Sequence, residues 1–502
     1  MFRRLFVATL ALPAALSAQT RDLVPLVDRV FARWDSTTGP GCAVGIDRAG
    51  QPRFSRAFGE ADLEYDIPNK PETIFEAGSI SKQFTAAATV LLALDGKLNL
   101  ADDVRKYVPE LPTYERPITI RHLLNHTSGL RDWGEIAALA GWPRETRVHT
   151  HDDVLDILSH QRALNYPPGD KYSYTNSGYN LLAMIISRVS GQPFATFSRE
   201  RLFGPLGLTH TQWRDDFRRV VKGRAQAYSR ASGGQWQLEM PFENVHGNGG
   251  LLTTVSDLLT WTAMLEHPTP QWKAMVDSMH VRGRLTNGDT IDYALGLFIS
   301  DYRGLHRVEH SGATAGYRAD VLRFPGRGLA IAVLCNAANA APTQYANQLV
   351  DSLLAPALGP VAARPQRPRA DSASAWRPSE TDLAPYVGTY YSPDVETTLQ
   401  VSIANGTLTV FRRPAARFAL RPTSKDAFTG LDDRVWFTKT VVAHGNHLAV
   451  WVNGVQVSDF TDTRPTDRSA RKGLKLDKGP LSLQGHDPTT DLSFRNLRIA
   501  AL

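Results

Sequence analysis

The chain has 502 residues, of which 42% are hydrophobic and 21% charged, with a formal net charge of +6. That is an ordinary globular balance, with enough apolar material for roughly two or three domains. The basic residues are scattered and form no lysine/arginine block, which argues against a nucleic-acid partner.

The N-terminus reads MFRRLFVATLALPAALSAQT. Two arginines, an apolar run from Leu5 to Leu16 and small residues after it are the layout of a secretory signal peptide, assigned to residues 1–18. The run is too short to hold a bilayer as a stable anchor, and no lipid-accepting cysteine follows it. The expected location is therefore periplasmic or extracellular, without a stable membrane anchor.

Next, Leu23, Leu26, Val30 and Phe31 recur at helical spacing between about 22 and 36. GPGCAVGIDRAGQPRFSRAFGEAD reads as a hairpin turning at Ala49-Gly50. SISKQFTAAATVLLALDGK reads as a helix stopped at Asp95-Gly96. Helical segments dominate from about 115 to 245, including SGYNLLAMIISRVSG, which ends at Gly191. SDLLTWTAMLE is a further short helix. Strand-like runs then return: YALGLFIS, HRVEHSG, ADVLRFPG and LAIAVLCN. Strands at both ends around a helical middle predict an α/β layer, an antiparallel sheet flanked by helices with a helical insertion.

Residues 358–380 are rich in Pro, Ala, Arg and Ser and read as a linker. Residues 381–502 read as all-β, with Asn405-Gly406 and Asn453-Gly454 as hairpin turns. The two cysteines, Cys42 and Cys335, sit on strand-like runs. Neighbouring antiparallel strands would bring them together, but two unpaired buried thiols are the expectation.

Three short patterns carry chemistry. Ser79-Ile80-Ser81-Lys82 opens the first long helix, where free N–H groups favour negative charge. Lys82 lies one turn on and reaches the Ser79 hydroxyl. Tyr174-Thr175-Asn176 lies in a polar turn before a helix. A nearby lysine is expected to lower the Tyr174 phenol pKa and make it a proton relay, while Asn176 offers a donor and an acceptor. His310-Ser311-Gly312 begins a strand whose glycine admits a substrate backbone, with His310 lining the site and the Ala313 N–H as second oxyanion donor beside that of Ser79. Taken singly, each pattern also fits an ordinary helix cap, turn or hairpin.

Their order and context resemble the serine β-lactamase-like family, which includes class C β-lactamases, D,D-carboxypeptidases, D-aminopeptidases and esterases. The resemblance covers residues 22–357. It is carried by FEAGSISKQFTAAA, LDGKLNLADDVRKYVPELP, ITIRHLLNHTSGL, YPPGDKYSYTNSGYNLLAMII, GNGGLLTTVSDLLTW and HSGATAGYRADVLRFPG. It implies Ser79 as nucleophile, Lys82 and Tyr174 as the proton-transfer pair, Asn176 as a positioning residue, and no cofactor. It places His310-Ser311-Gly312 where many β-lactamases carry Lys-Thr-Gly, which removes a cation that would meet a substrate carboxylate. The implied activity is hydrolysis of a small ester, a D-amino-acid peptide or a β-lactam, on a small-molecule or peptide substrate of cell-wall type. The alternatives are a non-hydrolytic penicillin-binding receptor and a glycan-binding protein with an inactive hydrolase domain.

Other features read as structural. His149-Thr150-His151-Asp152-Asp153 fits a helix capped by Thr150 better than a metal site. His126-Thr127-Ser128-Gly129 reads as a turn, and Asn248-Gly249-Gly250 as a pocket border. In the C-terminal region, LAPYVGTYYSPDVETTLQVSIANGTLTV resembles a lipocalin-like domain. About the last 60 residues resemble the end of a 3-keto-disaccharide hydrolase jelly-roll, too few for a whole one. Trp436, Phe437 and Trp451 there are assigned to core packing, with ligand contact as the weaker reading.

Overall fold

The computed structural model describes residues 22–144, 147–360, 376–392, 395, 397–412, 416–425, 427–429, 439–444, 447–452 and 455–461. The stretch read as a signal peptide, Trp436, Phe437, the Trp451 side chain and everything after 461 lie outside the described residues. The chain forms two compact units, Met1–Arg367 and Pro368–Leu502.

Six strands make the sheet of the first unit: β1 (Cys42–Arg48), β2 (Phe54–Phe58), β3 (Phe298–Tyr302), β4 (Leu305–Thr314), β5 (Tyr317–Phe324) and β6 (Leu329–Cys335). Their order is β3-β4-β5-β6-β1-β2, and every neighbouring pair is antiparallel. An early strand thus closes beside a late one, and the helical middle is an insertion between two halves of one sheet. Five helices matter here: α1 (Val24–Phe31), α2 (Ser81–Leu94), α3 (Asn176–Ser190), α4 (Val255–Glu266) and α5 (Pro342–Leu353).

Strand alternation sorts the side chains. Cys42, Val44 and Ile46 of β1 join the core cluster that holds Val27 and Phe31 of α1 and Leu349 of α5. Ala43 joins the other cluster, with Phe84 of α2, Leu182 of α3 and Leu258 of α4. Helix α2 is buried continuously from Ser81 to Leu92, its polar residues Ser81, Lys82, Gln83, Thr85 and Thr89 included. It ends on Asp95, with Gly96 left-handed at φ 71°, as expected. Helix α3 is capped by Thr175, whose side chain accepts from Ser177 N, and ends at left-handed Gly191. Thr150 caps the His151–Ser159 helix in a capping box with Asp153, also as expected.

The unpaired-thiol expectation is corrected. Cys42 stands directly opposite Cys335 in the β1–β6 register, and the two form a disulfide. Sequence spacing shows neither strand adjacency nor register, and those two decide the bond.

In the second unit, Gly388–Ser392, Thr397–Ala404, Thr407–Arg412 and Ala416–Ala419 pair in sequence order as an antiparallel sheet. Asn405-Gly406 forms its expected two-residue turn, both residues at positive φ. Arg421–Ser424 pairs with Ala427–Thr429, and a three-strand sheet spans Lys439–His444, His447–Val452 and Val455–Thr461. Among the described residues, no helix is long and apolar enough to cross a membrane.

Two predictions follow from this packing. The disulfide closes a sequence separation of 293 residues, so its loss frees a large unfolded-state loop. The paired replacement of Cys42 and Cys335 by alanine should lower unfolding free energy by about 2–4 kcal/mol in denaturant titrations. Asp320, fully buried in β5, is pushed up to about 8 by burial and by Glu309. Its folded-state pKa is above the unfolded one, so stability falls as pH rises from the ordinary carboxylate range through about 8. Asp320→Asn should flatten that fall in melting temperature measured between pH 5 and 9.

Candidate active site

Three segments far apart in sequence meet at Ser79. The first is the turn carrying it. Ser79 sits in a single 3-10 turn, Gly78–Ile80, that leads directly into α2. Ser81 stitches this turn in place: its hydroxyl donates to Gly78 O at 2.5 Å and accepts from Leu251 N at 3.1 Å. Upstream, the two-residue strand Phe75–Glu76 pairs with Leu251–Thr253, which also pairs with Gln212–Trp213. Strands this short leave no periodic signal in the sequence, yet they aim the serine.

Two glycines let β4 press on the turn. A Cβ on Gly312 would stand 2.0 Å from Ala77 O and 3.1 Å from Ser79 N, and one on Gly78 would stand 2.5 Å from Ala313 N. Gly78 also adopts φ 53°, a conformation open to glycine at little cost. The backbone nitrogens of Ser79 and Ala313, the two expected oxyanion donors, thus both lie at this glycine contact. Strand β3 pairs with β4 only as far as Glu309. Residues 310–314 thus form a strand edge without a β3 partner, with Ser311 and Ala313 exposed.

The second and third segments hold the amine. Lys82 Nζ lies 3.2 Å from Ser79 Oγ, and it donates to Asn176 Oδ1 at 2.9 Å and to Asn248 O at 2.8 Å. It also sits 4.7 Å from the Tyr174 ring centre and 5.6 Å from that of Tyr179. Lys82 is fully buried. Burial pushes its ammonium well below the usual lysine range; Asp132 pulls it back and Arg144 adds to the fall. Asn248 borders the site as expected, and through its carbonyl it holds the lysine. The Asn180 amide fastens the Asn248 side chain at 2.6 Å and His246 O at 3.1 Å.

Tyr174 departs from expectation. Its hydroxyl oxygen is buried, and burial drives the phenol pKa well above the ordinary value, with the Ser79 hydroxyl acting weakly in the opposite direction. The expected lowering fails because desolvation dominates, and the neighbours Tyr179, Tyr172 and Asp132 push the phenol in the same upward direction. His126 packs against the Tyr174 ring at 4.1 Å, and its Nδ1 accepts from Thr175 N at 3.2 Å. The His126–Gly129 stretch is the turn anticipated, with His126 itself at φ 57°, and it also braces the phenol.

His310 lies beneath the site. Its ring is buried, Nδ1 donates to Ser311 O at 2.7 Å, and Nε2 accepts from the Tyr293 hydroxyl at 3.1 Å. Burial, with Lys82 adding, pushes it down to about 3. It is neutral near pH 7 and brings no positive charge to a substrate carboxylate.

Sequence reasoning missed several supporting residues. Arg214 donates to both oxygens of Glu76, at 2.8 and 3.1 Å, with both side chains buried. It stands 3.6 Å from Glu243, which is bonded in turn to Arg144. This alternating series ties the strand before Ser79 to the loop before Asn248. Asp132 was also missed, although it follows the quoted HTSGL stretch. Among the described residues, no group of three or more metal-ligating side chains comes together.

With this geometry in place, comparisons decide the family. The family described as Beta-lactamase matches residues 26–355. The chain belongs to the beta-lactamase family. It is 30% identical over 392 residues to penicillin-binding protein 4* of Bacillus subtilis (strain 168), covering 75% of this chain and 84% of that one. It is 28% identical over 358 residues to a D-aminopeptidase of Cereibacter sphaeroides (strain KD131 / KCTC 12085), covering 70% and 66%. An octameric penicillin-binding protein homologue from Pyrococcus abyssi superposes with TM-score 0.59 at 24% identity, covering 86% of this chain and 97% of that one. The D-amino acid amidase of Ochrobactrum anthropi SV3 does so with TM-score 0.55 at 20% identity, covering 67% and 99%. At such identities the structural likeness establishes the fold. As a beta-lactamase family member, the chain is a serine hydrolase.

The 3-keto-alpha-glucoside-1,2-lyase-like domain family matches residues 377–500. The match is wider than the last stretch anticipated and includes the segment read as lipocalin-like.

The contact between β4 and the serine turn gives a sharp test. Gly312→Ala places a methyl against the Ala77 carbonyl, which must shift the turn or the strand. The variant should lose about 1–3 kcal/mol of stability. It should also lose about 100-fold in ester turnover, since misplacement by about 1 Å costs that much. Calorimetry and steady-state kinetics measure the two effects.

Proposed function

We propose that the chain is an exported hydrolase that opens a small ester or amide through an acyl-enzyme on Ser79. The observation that carries this reading is the Lys82 amine, buried and 3.2 Å from the Ser79 hydroxyl. A neutral lysine has two N–H groups and a lone pair. Asn176 Oδ1 and Asn248 O accept the two N–H groups, so the lone pair faces Ser79 and takes its proton as Oγ attacks the carbonyl. The oxyanion rests between the N–H groups of Ser79 and Ala313. Tyr174, kept protonated by burial, passes a proton to the leaving group and recovers one from Lys82. Water then attacks the acyl-enzyme and gives a proton to the Lys82–Tyr174 pair, which passes one to the departing Ser79 Oγ, so the acid is released and the serine hydroxyl restored.

For the substrate, we favour a D-amino-acid amide or peptide of cell-wall type, or a small ester, ahead of a β-lactam. The similar D-aminopeptidase and D-amino acid amidase support the first choice, and neutral His310 disfavours substrates that need a cation for their carboxylate. Export is supported by the N-terminal signal pattern and by the disulfide, which persists in oxidising compartments. The match over 377–500 supports carbohydrate contact by the second unit.

The test is nitrophenyl ester and D-alanyl amide turnover, with intact mass recorded during reaction. Ser79→Ala should abolish both turnover and the transient acyl adduct. Lys82→Ala should cut turnover at least about 100-fold, the scale of a lost general base. Undiminished turnover in Ser79→Ala overturns the reading. A stable adduct that never turns over points to a receptor.

A further inference from the structure

Asp132 stands between two helix starts, that of Trp133–Leu139 and that of α3 beside Tyr174-Thr175-Asn176. Its Oδ1 accepts from Gly134 N at 3.0 Å and so caps the Trp133–Leu139 helix. Its Oδ2 accepts from Asn176 N at 2.7 Å, at the first residue of α3, and from the Thr175 hydroxyl at 3.5 Å. One carboxylate therefore meets the orphan donors of two helix starts. Ser177 closes the same seam, donating to Arg131 O at 2.6 Å and accepting from Trp133 N at 2.9 Å.

The consequence lies one bond further in. Asn176 is held through its backbone by Asp132 and through its side chain by Lys82. We infer that Asp132 is a positioning residue for the reaction: it fixes Asn176 against the Lys82 amine and places a negative charge beside the Lys82–Asn176 contact. This inference rests on the role proposed above for Lys82.

The charged neighbours acting on Lys82 are Asp132, which favours its ammonium, and Arg144, which disfavours it. Arg144 is itself bonded to Glu243. The other titratable groups around the amine are Tyr174 and Tyr179, with their rings toward it, and His126 and His310. Burial keeps both phenols and both imidazoles neutral near pH 7. Asp132 is thus the carboxylate that offsets the burial of the amine. Removing its charge while keeping its shape makes the ammonium harder to form. The Lys82 pKa falls, and the acid limb of kcat/KM, where the base becomes protonated, moves to lower pH.

The experiment is the pH profile of kcat/KM for a nitrophenyl ester in the parent, Asp132→Asn, Asp132→Ala and Lys82→Ala, with fluorophosphonate labelling rates as a second readout. Asp132→Asn should move the acid limb down by roughly one pH unit, the low end for an opposite charge nearby, with a plateau lowered less than in Asp132→Ala because one amide oxygen still accepts from a helix start. Asp132→Ala should show the same displacement with a plateau about 10- to 100-fold lower, because the helix starts are released. Asp132→Glu should return the limb toward the parent. Loss of rate in both charge-removing variants with the parent's acid limb intact would mean a purely structural carboxylate and overturns the inference. Lys82→Ala separates the two failures. If it keeps the parent's rate and limb, the assignment of Lys82 falls; if it is inactive while Asp132→Asn keeps the parent's limb, only the role of Asp132 falls.

Discussion

A lysine side chain withdrawn from water is costly unless its nitrogen finds partners, and at Lys82 those partners come from the adjoining turn and from two remote segments. Ser79 lies on the preceding turn, Asn176 begins α3, and the Asn248 carbonyl comes from the loop before Leu251. The amine organises the site because each segment has to be in place for its burial to be tolerated. Burial in turn makes the amine useful, since a desolvated lysine favours its neutral form. The same low-polarity surroundings keep Tyr174 protonated, so one physical cause suits the amine and the phenol to the opposite roles proposed for them.

The rest of the first unit can be understood as the support this arrangement requires. The sheet brings β4 against the serine turn through two positions that tolerate no side chain, Gly78 and Gly312. The insertion between β2 and β3 supplies Tyr174, Asn176 and Asn248. Arg214, buried between Glu76 and Glu243, joins the strand before the serine to the loop that carries Asn248. Buried ion pairs of this kind add little net stability, because desolvation consumes much of their attraction. Their effect here is geometric: removing one partner would strand a buried charge, so the two segments stay in register.

His310 shows how one side chain can change the charge presented within a shared framework. A lysine at this position, midway along β4, would bring a cation to the site. The imidazole instead donates to Ser311 O, accepts from Tyr293 and is held neutral by burial. The strand edge and the paired N–H groups remain, while the charge that would select an anionic substrate is gone. Family membership therefore defines the chemistry more firmly than the substrate.

Much was legible in the sequence because it depends on short-range geometry. The ends of α2 at Asp95-Gly96 and of α3 at Gly191, the Thr150 cap and the Asn405-Gly406 turn all follow from torsions and caps within a few residues. The order of the serine, tyrosine and histidine patterns pointed to the family and to the residues that converge. Only the tertiary structure decided the Cys42–Cys335 bond, which needs strand register. It alone showed Asp132, Glu76, Arg214 and Glu243 as parts of the site, since their partners lie as far as 138 residues away. It also reversed the expected direction for Tyr174. A phenol's acidity depends on how much water and charge surround it, and those surroundings are assembled from segments that meet only in the folded chain.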